Sequence, residues 1–490
     1  MQGRPSVVDS VLEKMKSGEP ARLHPTVPDS KKEEKATAIL LATFRVVPDF
    51  ARAMLSGAGI KVGKRSQIEC YTEVSLEIPG EKRQIRPDGL IVITTGEKRW
   101  TAFIESKTGT SELKQDQCEE YLQLAKLLGI DAVLTISNQY STFPTHHPIR
   151  VSKVKTRKVG FFHFSWLSIM YSATLQIDSH AIEDPEQAFL LQELIRFLKH
   201  PSSGVSSFTR MPKDWTTLCS AVKQGAALKK TDPMITDVVL SWHQLVRFLA
   251  LELTASVSEP VQVKLSRKYI KDPSERVADD MDRILRSAIL VSELSIPNAA
   301  SPLLVAADLR RRTLNLGMKL EAPGDKKRAP ATINWLLRQL KGLERDDLLI
   351  RAIWPRRTPD TTASLAQARE DVDCLIHEGS RDLPQSFEVI RVIDLAGKFG
   401  GVRTFVEYAA KEVPAFYKDV GEHLRSWVAP PPKLKPKEQS SKSREAVNAD
   451  AGQGSAEATE REKAETLEKR SEELPKERSM IELPDWSSRR

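Results

Sequence analysis

The stretch Arg86-Pro87-Asp88-Gly89-Leu90-Ile91-Val92-Ile93-Thr94 leads through a Gly96-Glu97 turn into Trp100-Thr101-Ala102-Phe103-Ile104-Glu105-Ser106-Lys107, and its reading decides the fold. Both apolar runs have strand length and carry β-branched or aromatic residues, with turn formers between them, so they predict a hairpin. Strand side chains alternate between faces, which places Glu105 and Lys107 on one side and Ser106 on the other. Pairing Gly89–Thr94 with Trp100–Lys107 brings Asp88 beside them. Two carboxylates hold a hard divalent cation through oxygen, and an ammonium beside them puts positive charge next to a bound anion.

The flanks extend the pattern. Asp29-Ser30 opens a helix, with Ser30 and Glu33 spaced as a capping box, and Ala36, Ile39, Leu40, Thr43, Phe44 and Val47 keep helical periodicity through Lys31–Leu55. Pro48 predicts a kink or a split. Ile68–Ile78 alternates, with Ile68, Cys70, Thr72, Val74, Leu76 and Ile78 on one face, and predicts a half-buried strand. Pro79-Gly80 turns into a second strand over Gln84–Thr94, and Arg99–Lys107 forms the third. Ser111–Leu128 reads as a helix closed by Gly129. The continuous apolar run Asp131–Ser137 predicts a strand buried on both faces, and Val159–Trp166 a further strand.

This order of helix, three meandering strands, helix and strand resembles the αβββαβ core of the PD-(D/E)xK nuclease superfamily. The motifs are similar in sequence: Pro87-Asp88, Glu105-x-Lys107, then Gln117-x-x-x-Tyr121, which resembles the QxxxY signature of exonuclease-like branches. The resemblance covers roughly residues 29–170. It implies an α/β, restriction-endonuclease-like core in which Asp88, Glu105 and the carbonyl of Ser106 hold Mg²⁺ or Mn²⁺. Lys107 would orient the attacking water or stabilise charge on the phosphate, and Gln117 and Tyr121, on one helical face, would contact substrate. The first helix often supplies a further acid in this superfamily. Glu33 lies near that helix's apolar face and Glu34 points off it, so Glu33 is the expected accessory metal ligand, unless it closes the capping box with Ser30. Glu73 is another acid placed to approach the metal.

The formal net charge is +8, and the tail from Pro431 to Arg490 is neutral, with 13 basic and 13 acidic residues. The excess therefore belongs to residues 1–430, which suits an anionic partner such as nucleic acid. Candidate phosphate contacts are Lys153, Lys155, Arg157 and Lys158, the loop residues Tyr140, His146, His147 and Arg150, and the Arg310–Arg312, Lys326–Arg328 and Arg356-Arg357 runs. The stripe Phe161, Phe162, Phe164 and Trp166 reads as core. Four scattered cysteines make neither a zinc site nor a disulfide framework. The absence of a long apolar run and of a visible leader predicts a cytoplasmic protein without a membrane partner.

The expected organisation is a flexible segment (1–28), a nuclease-like domain (29–200), a helical connector (201–259), an α+β domain of unassigned role (260–429) and a disordered charged tail (430–490). Residues 260–490 are the expected site for any protein partner. The expected activity is metal-dependent hydrolysis of phosphodiester bonds, with DNA as substrate. The competing reading is a catalytically inactive nuclease-fold protein that binds nucleic acid, regulates or docks a partner.

Overall fold

Twelve α-helices and two seven-stranded sheets give the described part of the chain an α/β architecture. The computed structural model describes residues 15–429 except 26, 27, 29, 79–83, 153, 344, 346, 357 and 380. The expectations for residues 1–14, Asp29, the Pro79-Gly80 turn, Lys153, Arg357 and the tail 430–490 lie outside the described residues.

The first sheet contains β1 (Met15–Pro20), β2 (Gln67–Glu77), β3 (Gln84–Ile85), β4 (Gly89–Thr95), β5 (Lys98–Ser106), β6 (Ala132–Ser137) and β7 (Gly160–Ser165). Its spatial order is β1-β2-β4-β5-β6-β7, with β3 paired to β2. The pairs up to β5 are antiparallel, and β6 and β7 continue the sheet in parallel. Residues 15–20, expected to be flexible, are an edge strand in which Met15 pairs with Leu76 and Pro20 with Tyr71. An edge strand tolerates a proline because its outward N–H has no ladder partner.

The expected first helix is two helices, α1 (Lys32–Val46) and α2 (Pro48–Gly57), because Pro48 breaks the ladder and then starts the second one. α3 (Gln115–Leu128) ends on Gly129, which takes a left-handed φ of 76°. Alternation along the strands sorts two apolar layers. Ile91, Ile104 and Leu134 pack with Leu40 and Leu41 of α1, while Leu90, Phe103 and Val133 pack with Leu122 and Leu128 of α3.

Two strands depart from their expected form. The alternation of β2 does not keep one face: Glu73 takes a φ of 53°, and Cys70 before it and Val74 after it lie in opposite layers. A bulge of this kind bends the strand, and a left-handed residue costs about 1–2 kcal/mol. The strand expected over Gln84–Thr94 is broken into β3 and β4, since Pro87 has no N–H for a ladder. Asp88 therefore stands at a strand entry.

Beyond β7 come α4 (Trp166–Asp178), α5 (Pro185–Lys199), α6 (Lys213–Lys223) and α7 (Pro233–Val257). The stretch 201–259, expected to be a connector, is instead part of a packed layer: α7 lies against α4 and α6 and against the start of the second sheet. One continuous apolar cluster runs from Ala21 to Leu424. α7 is also long and apolar enough to cross a membrane, but Ile235, Val239, Trp242, Val246 and Leu249 are buried in this core.

The second half contains β8 (Gln262–Lys264), α8 (Arg267–Lys271), α9 (Pro273–Ser287), β9 (Ile289–Ser295), β10 (Leu303–Asp308), β11 (Thr313–Glu321), α10 (Ala329–Gln339), β12 (Leu348–Ile353), β13 (Thr361–Ser364), α11 (Leu365–Glu370), β14 (Ser386–Asp394) and α12 (Val402–Asp419). Its strands form a wholly antiparallel sheet ordered β13-β12-β14-β11-β10-β9-β8.

Candidate active site

The β4–β5 ladder ends where Gly89 faces Ile104, with Asp88 just before that pair on one side and Glu105 just after it on the other. Glu105 follows Phe103 onto the face covered by α3, while the Asp88 carboxylate meets Ser106 at the strand end. Gly89 leaves little room at this point: a Cβ on it would lie 2.4 Å from Leu41 Cδ1 and 3.1 Å from the Tyr71 carbonyl oxygen. The glycine lets α1 approach the strand beside Asp88.

Asp88 Oδ2 accepts hydrogen bonds from the Ser106 N–H at 2.7 Å and from Ser106 Oγ at 3.2 Å. Ser106 Oγ also lies 2.5 Å from Thr37 Oγ1, which ties the site to α1. Glu105 is only 2% exposed. Its Oε1 accepts from Lys107 Nζ at 2.6 Å and from Gln117 Nε2 at 2.7 Å. The Tyr121 hydroxyl donates to the Arg86 carbonyl at 3.3 Å. The structure thus gathers Asp88, Glu105, Ser106, Lys107, Gln117 and Tyr121 at one end of the sheet.

Crowded acids set the electrostatics. Burial, reinforced by the Glu105 carboxylate, pushes Asp88 up to about 7. Burial works to lower Lys107, but its hydrogen bond to Glu105 and the surrounding carboxylates outweigh this, so its ammonium is held above the usual range. Burial and the same acids raise the Tyr121 phenol far above its ordinary value, leaving a neutral hydroxyl donor.

Glu33 takes a different place from the one expected. The N-cap of α1 is Lys31, without a side-chain cap, so the capping box with Ser30 does not form. Glu33 Oε2 instead lies 3.5 Å from Lys107 Nζ, and its Oε1 accepts from the Thr108 N–H at 3.4 Å. Among the described residues no three His, Cys, Asp or Glu side chains converge as a metal cage. Glu33 thus meets the ammonium rather than completing a carboxylate triad with Asp88 and Glu105. Glu73 turns to Arg86, at 3.4 Å. Ser106 makes its contacts on Asp88 through its N–H and side chain, whereas its carbonyl was the expected ligand.

Two hard carboxylates remain as donors for a cation. Magnesium is commonly held by one or two carboxylates while keeping several waters, and their mutual repulsion is what a divalent ion relieves. The donor set fits Mg²⁺ or Mn²⁺.

Several supports carry no signal in the sequence. Trp166, read as core and indeed fully buried, donates its Nε1–H to the Lys107 carbonyl at 2.9 Å. Asn138 donates to the carbonyls of Gly109 at 3.1 Å and Gly204 at 2.9 Å, clamping the loop that follows Lys107. A lone Trp in an aromatic stripe and a lone Asn after a strand reveal such contacts only once the chain is folded.

The loop expected at the rim is mostly interior. Tyr140 packs edge-on against Phe208 and Phe248, and His146 lies 2.9 Å from the Ile270 carbonyl. His147 stacks on Phe161, while Arg150 is exposed. Lys155 is held by Glu119 at 2.5 Å. Positive charge near the site comes instead from a cleft of roughly 490 Å³ beside Asp88, lined among others by Arg22, Lys31 and Arg86. These cations are held by Glu19 at 2.8 Å, Glu34 at 2.8 Å and Glu73 at 3.4 Å respectively. No family model, curated protein or solved structure matches this chain.

Proposed function

We propose that this chain is a metal-dependent nuclease of the PD-(D/E)xK type that hydrolyses phosphodiester bonds in DNA. The reading rests above all on two carboxylates held at one strand end, Asp88 by the Ser106 N–H at 2.7 Å and Glu105 by Lys107 Nζ at 2.6 Å. A bound Mg²⁺ or Mn²⁺ would supply Lewis acidity and a water of lowered pKa.

The protein's own groups do the rest. The Ser106 N–H fixes Asp88, and Gln117 fixes Glu105, so both carboxylates are positioned before substrate arrives. Lys107, kept charged by its acidic surroundings, steadies the negative charge that builds on the phosphate oxygens. Arg22, Lys31 and Arg86 can exchange their carboxylate partners for backbone phosphates, a grip that does not depend on sequence.

The test is cleavage of single- and double-stranded DNA, with RNA in parallel, in Mg²⁺ or Mn²⁺. Wild type cuts, chelation stops it, and Asp88→Ala or Lys107→Ala lowers the rate by about 10²–10³-fold or more. Absence of cleavage, or variants that cut like wild type, overturns the reading. Salt-dependent binding without cleavage would leave a non-catalytic nucleic-acid module.

A further inference from the structure

In the cleft beside Asp88 each of the cations named above already has an acid. Arg22, Lys31 and Arg86 are each held by a glutamate of the same lining, and Asp88 adds a further carboxyl. On the nuclease reading, on which this inference rests, a DNA strand grips the cleft by displacing a carboxylate already in place. The three pairs differ in how they are built. Glu19 and Arg22 stand three residues apart, as do Lys31 and Glu34, each pair at 2.8 Å. Glu73 and Arg86 come from separate segments of the sheet and lie 3.4 Å apart.

The ladder of β2 brings that third pair about. Thr72 pairs with Gly89 of β4, and pairing resumes at Leu76 with Ile85 of β3. Residues 73–75 and 86–88 therefore stand at a gap in the ladder, and the cleft lies there. On the β1 side Ser17 pairs with Ser75 and Glu19 with Thr72, so Glu73 and Val74 together oppose the single residue Gly18. Glu73 fills the extra place of this bulge with its φ of 53°. Glycine adopts such a backbone without strain, and strained residues of other types collect at functional sites. What a glutamate adds at this point is a carboxylate on the cleft wall.

Glu73 bears on two of the three cations. It reaches Arg86 directly and, after Glu34, helps hold the Lys31 ammonium above its usual range. Its hold on Arg86 is light: the Glu73 and Arg86 side chains are 44% and 71% exposed, and an exposed ion pair contributes little and gives way in salt. A DNA strand, which brings several phosphates at once, can take Arg86 from it. We propose that Glu73 is the specificity gate of this cleft: its carboxylate holds the place of a DNA phosphate on Arg86, and its displacement sets how readily a strand enters.

Fluorescence anisotropy of a labelled single-stranded DNA oligonucleotide with the full chain in EDTA tests the gate apart from hydrolysis. Glu73→Gln should bind about fivefold more tightly than wild type at about 50 mM salt, and the advantage should shrink toward about 200 mM. Arg86→Ala should bind more weakly, and adding Glu73→Gln to it should recover little, because the contact being competed for is gone. Glu73→Gly, which also relieves the left-handed backbone, should show the same gain with a higher unfolding temperature, and it stays informative if the first variant misfolds. Equal or weaker binding by both Glu73 variants, the same gain without Arg86, or no binding by any form overturns the proposal. DNA cut by the wild type, with no gain from either variant, would overturn the gate alone. Gain without any cleavage in Mg²⁺ or Mn²⁺ would overturn the nuclease reading alone.

Discussion

Arg391 in the second sheet lies between Asp347 and Glu412, at 2.5 and 2.7 Å, whereas in the first sheet Asp88 and Glu105 have one ammonium close at hand, that of Lys107. The arginines win against burial at Asp347 and hold its carboxyl below the usual range. At Asp88 burial and a neighbouring acid win, and the carboxyl rises to about 7. Arg351 repeats the paired arrangement, held by Glu388 at 3.2 Å and by Asp360. Matched charges balance one another within the fold, while acids crowded beyond their cations are, on the proposed reading, where a divalent ion would complete the balance.

Breaking the matched side should have the largest effect on stability. Arg391→Leu leaves the buried Glu412 carboxylate with only the exposed Lys411, 3.7 Å away, and should destabilise the protein by about 3–5 kcal/mol in denaturant unfolding. A loss within a few tenths of a kcal/mol would show that the two sheets do not differ in this way.

Relieving the crowded side should have the opposite sign. The folded-state pKa of Asp88, about 7, stands above the unfolded value of about 3.9, so the folded protein binds the extra proton. Its contribution is therefore fully present below about pH 4 and is lost as pH rises through 7. Asp88→Asn, measured without divalent ions, should be more stable than wild type at pH 8 by up to about 4 kcal/mol, and the gap should close toward pH 4. A gap that widens on acidification would place Asp88 among the matched charges.

The smallest effect concerns how closely the helix approaches the crowded acids. Gly89→Ala should cost about 1–3 kcal/mol by overpacking against Leu41, and Leu41→Ala in the same chain should recover part of it. Equal thermal unfolding of Gly89→Ala and wild type would mean that α1 yields without strain.

Much of this site was legible in the sequence because it depends on short-range rules. Alternation put Glu105 and Lys107 together, and helical spacing put Gln117 and Tyr121 on one face. What escaped depends on contacts distant in the chain. The pattern Cys70, Thr72, Val74 looks unbroken, and the left-handed Glu73 that moves Val74 to the other layer has no glycine to announce it. Ser30 and Glu33 have capping-box spacing, yet Lys107, far along the chain, claims Glu33. His146 and His147 sit among loop formers but are drawn inward by Ile270, Thr135 and Phe161. The pairing of residues 15–20 with β2 joins segments separated by about 50 residues, and no local pattern encodes it.

Titration of the full chain with Mn²⁺, followed by electron paramagnetic resonance, most directly tests whether Asp88 and Glu105 await a cation. Wild type should bind an ion that Asp88→Asn and Glu105→Gln each weaken about tenfold or more, as expected when one of two carboxylate ligands is lost. Mn²⁺ that ignores the wild-type protein, or binds both variants equally well, would contradict it.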